Sequence, residues 1–360
     1  MSEADVRHTV GAHLAGLVRR ADELARLLPE RETGDERVEA RRREATLASL
    51  RLDGSPVATW PDPARLAALD PDAAVRGDAG GEGTRGSWFD TMRTFDDPPD
   101  EDLQLRELRG VLAALAADDL VEDLARAPAT ALRELHRRLT VGLVAGDRAG
   151  RLRRTEQAVH DASVGRIVYF TADPEALPAA FDALVGWLAG PATELPVVVA
   201  SGILHLRLLQ LHPFEAANGR LARAAARLWL RRGARDPLGL AVPELALARD
   251  PLGYHEEVAR SSRRRDASVW LERWAEAVVD GLRGSARDLG LLRPEVDATA
   301  LAPLGTNFTV ADVRDLPTVA DLPAAVEQLE RWLDAGLVER VPGSRGLRFL
   351  VPGPAVAGNG

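Results

Sequence analysis

Apolar residues recur every three or four positions along most of this chain, a period that lines one face of an α-helix and does not line one face of a strand. In the first such run Val6, Val10, Leu14, Leu17, Leu24 and Leu28 lead up to Pro29, which predicts a helix over 5–28. The hydrophobic share is 46%, but aromatic residues make up only 4%. Leucine, alanine and valine must therefore build the core, which favours helices over sandwiches. At 360 residues the chain is too long for one ordinary core, so two or three domains are expected.

The same period predicts a helix over 35–52, stopped by Asp53-Gly54 and Pro56. A stretch rich in Gly, Asp and Pro follows as far as Pro99 and reads as a long mobile insertion, closing an N-terminal region of residues 1–102. Helical patterning resumes over 103–127 and 130–144, and the period drops towards two between Arg151 and Phe170, where a small β-hairpin is predicted. Helices are then expected over 174–189, 196–211, 219–232 and 253–289, completing a mainly α bundle over 103–290. In residues 291–360, Thr309 can cap a short helix, 322–335 reads as another, and 337–351 reads as a hairpin. Helix, helix, hairpin is the order of a winged helix-turn-helix module.

The sequence contains no Cys and no Lys, so all 46 basic residues are Arg. Thiol nucleophiles, disulfides, Schiff-base chemistry and the lysine of a P-loop are excluded together. Any phosphate must be held by Arg and by backbone N–H groups. With no signal-like segment and no long apolar run, the expected location is the cytoplasm, without membrane contact. A net charge of −9 speaks against a protein that coats nucleic acid.

One segment stands apart: His212-Pro213-Phe214-Glu215-Ala216-Ala217-Asn218-Gly219-Arg220-Leu221-Ala222-Arg223. Pro213 ends the preceding helix at His212, and Asn218 can cap the next one, so the histidine sits on a loop before a helix start. On that next helix Arg220, Arg223, Arg227 and Arg231 fall within an arc of about 80°, with no acid between Gly219 and Arg235. Alone, such a stripe reads as a solvated face and such a histidine as a packed or surface imidazole. Together, a base, a capping Asn and an anion nest at a helix start point to nucleotide-dependent group transfer.

The segment resembles the signature of the Fic (Fido) family, H-x-F-x-[D/E]-[G/A]-N-[G/K]-R-x-x-R, and the resemblance extends over about 103–289. It implies a Fic-type helical bundle with a small β-hairpin flap. It also implies transfer of AMP, or a related group, from ATP or another nucleotide to a Ser, Thr or Tyr hydroxyl of a target protein. His212 would match the general base, Phe214 would anchor the loop, Asn218 and Gly219 would hold phosphate, and Arg220 and Arg223 would grip the donor's outer phosphates. The hairpin would be the target-docking flap, through Arg166, Ile167, Val168 and Tyr169. His205 and Tyr254 also look like family positions.

The pattern departs at position 216, where the family's acidic Mg²⁺ ligand is replaced by Ala216. Three readings stay open: the arginines compensate, Glu215 or Asp161 reaches the ion from another angle, or the site binds nucleotide without turning it over. A second likeness is to the family's inhibitory [S/T]-x-x-x-E-[G/N] motif, here Ser49 to Gly54, with Asp53 in place of Glu. It implies that Asp53 pairs with Arg223 and blocks the donor, or, for a hydrolase that removes AMP, positions a water. Without the resemblance, Ser49 is ordinary and Asp53-Gly54 is a helix-ending turn. For the tail, residues 291–353 hold 6 Arg against 9 acids, which disfavours DNA as a partner. A second copy of the chain is a further candidate partner.

Overall fold

The computed structural model describes residues 7–28, 36–55, 57, 59–68, 101–161, 166–232, 236, 238–292, 294, 296–344 and 347–352. Two N-terminal helices, α1 (Ala12–Ala25) and α2 (Glu36–Leu52), precede a short α3 (Pro63–Ala67). The insertion expected to reach Pro99 lies largely outside the described residues. Then follow α4 (Glu101–Leu115), α5 (Asp123–Arg126), α6 (Pro128–Leu139) and the antiparallel pair β1 (Ala158–Asp161) and β2 (Arg166–Phe170). The rest of the body is α7 (Leu177–Ala189), α8 (Val197–Leu211), α9 (Asn218–Leu230), α10 (Pro243–Leu247), α11 (Pro251–Arg264) and α12 (Ser268–Asp288). The fold is mainly helical, as the spacing predicted.

The differences have local causes. The helix expected over 103–127 breaks after Leu115, because Ala117 leaves the helical region and starts a short 3₁₀ turn at Asp118. The one expected over 253–289 is two helices: Arg265 adopts a left-handed conformation (φ 51), and the Asp266 carboxylate accepts from the Ser268 N–H at the start of the next. Helix α1 begins at Ala12, seven residues later than the period suggested. Helix α6 stops at Leu139, where the Thr140 hydroxyl turns back to the His136 carbonyl.

α8 is the axis of the body, buried on nearly every side. Trp270 and Trp274 of α12 pack against it and donate their indole N–H groups to the Gly202 carbonyl and the Ser201 hydroxyl, at 2.8 and 2.9 Å. A Cβ at Gly202 would lie 2.7 Å from the Trp274 ring, so this approach needs glycine. Leu14, Leu17, Leu50 and Leu52 join the same apolar cluster, so α1 and α2 are packed into the body.

A second apolar cluster, built around Phe308, Trp332 and Phe349, starts at Val296. It contains β3 (Asn307–Thr309), α13 (Val310–Arg314), α14 (Leu322–Ala335), β4 (Glu339–Arg340) and β5 (Arg348–Leu350), with sheet order β3-β5-β4. Thr309 and Asp312 form a reciprocal capping box on α13, and α14 runs between an Asp321 cap and a left-handed Gly336. The strand β3 was not foreseen.

A seam of charge joins this tail to the body. Arg283 of α12, 2% exposed, pairs with both Glu330 and Asp334 of α14. Arg20 of α1 reaches Asp334 at 2.5 Å, and Arg340 pairs with Asp280 and Glu330.

Candidate active site

Helix α8 ends where Pro213 forbids another turn, and His212 takes the left-handed conformation (φ 43). Its ring Nδ1 lies 2.6 Å from the Leu209 carbonyl oxygen. A carbonyl only accepts, so Nδ1 carries a proton, and the nitrogen left to act as a base is Nε2.

One buried guanidinium holds that turn. Arg153 donates Nε to the His212 carbonyl (2.6 Å), Nη1 to Thr155 O (2.5 Å) and Nη2 to Ala172 O, Thr171 Oγ1 and Leu211 O (2.5, 3.0 and 3.1 Å). Its own N–H bonds the Pro213 carbonyl. The end of α8 and both ends of the β1–β2 hairpin are thus fixed to one side chain. Sequence reading passed over it, since a lone Arg between loop residues carries no periodic signal.

Phe214 is fully buried and stacks on His136 with ring centroids 4.2 Å apart, anchoring the loop as expected. His136 of α6 touches the signature directly. The Gly150 N–H donates to its Nδ1, so its Nε2 donates to the Ala216 carbonyl at 3.1 Å. Burial lowers its pKa to about 4 and keeps the ring neutral. Asn218 does not cap α9. That position is Ala217 in a left-handed conformation, while the Asn218 amide closes the loop on itself, accepting from Phe214 N–H and donating to Phe214 O. Gln157, ahead of β1, donates to Glu215 O and accepts from Asn218.

The arginine stripe is neither exposed nor unpaired. The acids missing from α9 arrive from elsewhere in the chain. Arg231 pairs with Asp118 at 2.7 Å, and Arg227 faces Glu244 at 3.8 Å and donates to Gly239 O. Arg220 lies between Asp53 (3.4 Å) and Glu107 of α4 (3.2 Å), and Arg223 pairs with Asp53 at 2.6 Å. Both arginines are at most 2% exposed.

Asp53 therefore occupies the cradle. Ser49 assists, its hydroxyl and carbonyl accepting from Arg223 at 2.8 and 2.9 Å. Gly54, at φ 73, turns the chain away. The shorter Asp reaches both arginines because Gly219 has no side chain, as a Cβ there would lie 2.8 Å from Asp53 Oδ1. The end of α2 is held by His255, whose Nε2 donates to Leu52 O at 3.3 Å. Burial lowers this ring's pKa to about 4. Behind Arg223, Tyr254 and His205 extend the network. The Tyr254 hydroxyl, beside the Arg223 guanidinium, pairs with His205 Nε2 at 2.8 Å. Burial pushes the Tyr254 pKa up and, with Arg223 next in effect, the His205 pKa well down, so both are neutral.

The donor set does not fit a divalent cation at the family's position. Ala216 offers only a carbonyl, which His136 takes, and Glu215 turns out to Arg148 at 3.1 Å. Among the described residues no three His, Asp or Glu gather as a ligand set. In the flap, Arg166 and Ile167 are exposed, but Tyr169 is buried edge-on to His212 with centroids 6.3 Å apart. The outward aromatic is Phe170, 75% exposed, which the sequence reading left out of the docking set. Among the described residues no helix is long and apolar enough to cross a membrane.

Residues 127–230, which hold α6 to α9, the flap and the signature loop, are a Fic/DOC family domain. The chain resembles the crystal structure of a Fic family protein from Desulfovibrio desulfuricans G20, with a TM-score of 0.57 and 21% identity over 97% of this chain and 99% of that one. It also resembles Fic-1 from C. elegans, with a TM-score of 0.51 and 16% identity over 78% of this chain and 73% of that one. At these identities the likeness is one of fold. The comparison with curated proteins gives no match.

Proposed function

We propose that this chain is a Fic-type protein adenylyltransferase, held shut in cis by α2. The observation that carries the reading is the convergence of Arg220 and Arg223 on one borrowed carboxylate, beside the loop that bears His212. Two buried cations one helical turn apart, with the first N–H groups of α9, form a receptor for a polyphosphate tail once Asp53 withdraws. His212 then takes the proton of a Ser, Thr or Tyr hydroxyl on Nε2 as the oxygen attacks the α-phosphorus of ATP. The bond to the bridging oxygen breaks and pyrophosphate leaves, its charge spread over the two guanidinium groups. The target's backbone would lie along β2, with Arg166, Ile167, Val168 and Phe170 at that edge.

A specific observation favours a second reading. With Ala216 in the metal position and Glu215 turned to Arg148, the site can act as a nucleotide sensor without turnover. The experiment is incubation of the full chain with α-labelled ATP and Mg²⁺. Label on protein that rises at least about tenfold in Asp53→Gly and vanishes on adding His212→Ala supports the transferase. Absence of label in Asp53→Gly, with ATP still bound and lost in Arg220→Ala, supports the sensor. In the Asp53→Gly background, Ala216→Asp should raise transfer.

For the tail we infer a docked module. Glu330 and Asp334 of α14 are committed to the body, and the helix offers a DNA backbone little positive charge.

A further inference from the structure

Asp53 cannot account for the closed state of Arg220. This guanidinium is buried between two carboxylates from separate segments, Asp53 in the turn after α2, with Oδ2 3.4 Å from Nε, and Glu107 of α4, with Oε1 3.2 Å from Nη2. Arg223, by contrast, is bonded by Ser49 of α2 and by Asp53 in the turn after it, and not by Glu107. The cradle is neutral only when both acids are counted: two guanidinium groups against two carboxylates. Withdrawing α2 removes Asp53 and leaves Glu107 in place, because Glu107 is carried by α4. An incoming phosphate tail would then meet a buried anion on the very arginine it has to grip, and like charges forced together in a buried site repel strongly. Meanwhile Nε and Nη1 of Arg220 and Nη1 of Arg223 have no hydrogen-bond partner among the described residues, so donors stand ready for an anion.

We propose that Glu107 is a second inhibitory carboxylate, and that full opening of the site requires α4 to release Arg220 as well as α2 to release Arg223. The inference rests on the reading of this cradle as a polyphosphate site. It assigns the control of that site to two separate helices, one ahead of the Gly/Asp/Pro-rich insertion and one after it.

The test is calorimetric titration of the full chain with ATP, using Asp53→Gly, Glu107→Gln and the double variant. The isosteric Gln keeps its volume and removes the charge. The expected result is measurable binding in Asp53→Gly, tightened about tenfold or more in the double variant. Binding in the double variant equal to or weaker than in Asp53→Gly overturns the proposal and makes Glu107 a support that aims Arg220. Failure of Arg220→Ala, in the Asp53→Gly background, to weaken binding sinks the polyphosphate reading itself, which separates the two. No binding in any variant sinks both. A measurement without substitution at 107 guards against misfolding: hydrogen exchange of Asp53→Gly with and without ATP. Exchange in 101–115 should rise on ATP addition, and unchanged protection there counts against α4 moving.

Discussion

His212 owes its position to a residue that no motif contains. Arg153 donates to the carbonyls at the end of α8 and to both roots of the hairpin, so His212 and the β1–β2 pair share one anchor. Removing it leaves several buried carbonyls without donors, each costing about 1–3 kcal/mol before water enters. Arg153→Leu should therefore lower the unfolding free energy by about 3 kcal/mol or more, read as a shift in urea midpoint at constant slope. His212, Phe214, Arg220 and Arg223 were legible in sequence because their spacing is itself the signal. Arg153, His136 and Glu107 were not, since each reaches the site from a distant segment and only the fold brings them there. The burial of the arginine stripe was misread for the same reason: the paired acids Asp53, Glu107, Asp118 and Glu244 lie outside α9.

At the scale of elements, two neutral imidazoles act as pins between segments. His136 ties α6 to the signature loop, and His255 ties α11 to the end of α2. Burial lowers both from 6.5 to about 4, so between those values the unfolded chain binds protons that the folded one refuses. Stability from these groups is complete above pH 6.5 and is lost as pH falls towards 4, by at most about 3 kcal/mol per ring. Urea unfolding at pH 7 and pH 4.5 should show the loss, and His255→Gln, which can still donate to Leu52 O, should flatten the slope by about one proton. Helices with strong ends, such as α14 between Asp321 and Gly336, were read from sequence to the residue. The short α10 and the break at Arg265 were not, because a single left-handed residue inside an apolar period leaves no mark on that period.

For the molecule as a whole, the seam between body and tail decides how the parts move. Arg283 is almost fully buried, and burial, with Arg340 next to it, lowers its pKa although Glu330, Asp280 and Asp334 oppose the shift. Breaking such a buried set by removing one partner is strongly destabilising. Arg283→Met should free the tail at a cost of about 3 kcal/mol, seen as faster protease cleavage between 289 and 297 and a larger radius in small-angle scattering. A variant as resistant as the wild type would show that the apolar contacts alone hold the tail.

Because the chain contains no lysine, every Lys- or Arg-type cation in the seam and in the cradle that Asp53 occupies is a guanidinium. Guanidinium stays charged through the whole biological pH range and offers no amine to acetyltransferases or ubiquitin ligases. Alkaline conditions and acyl marks therefore have no handle on these locks. A competing anion that offers the arginines better oxygen atoms than the protein's own carboxylates do is a handle that remains.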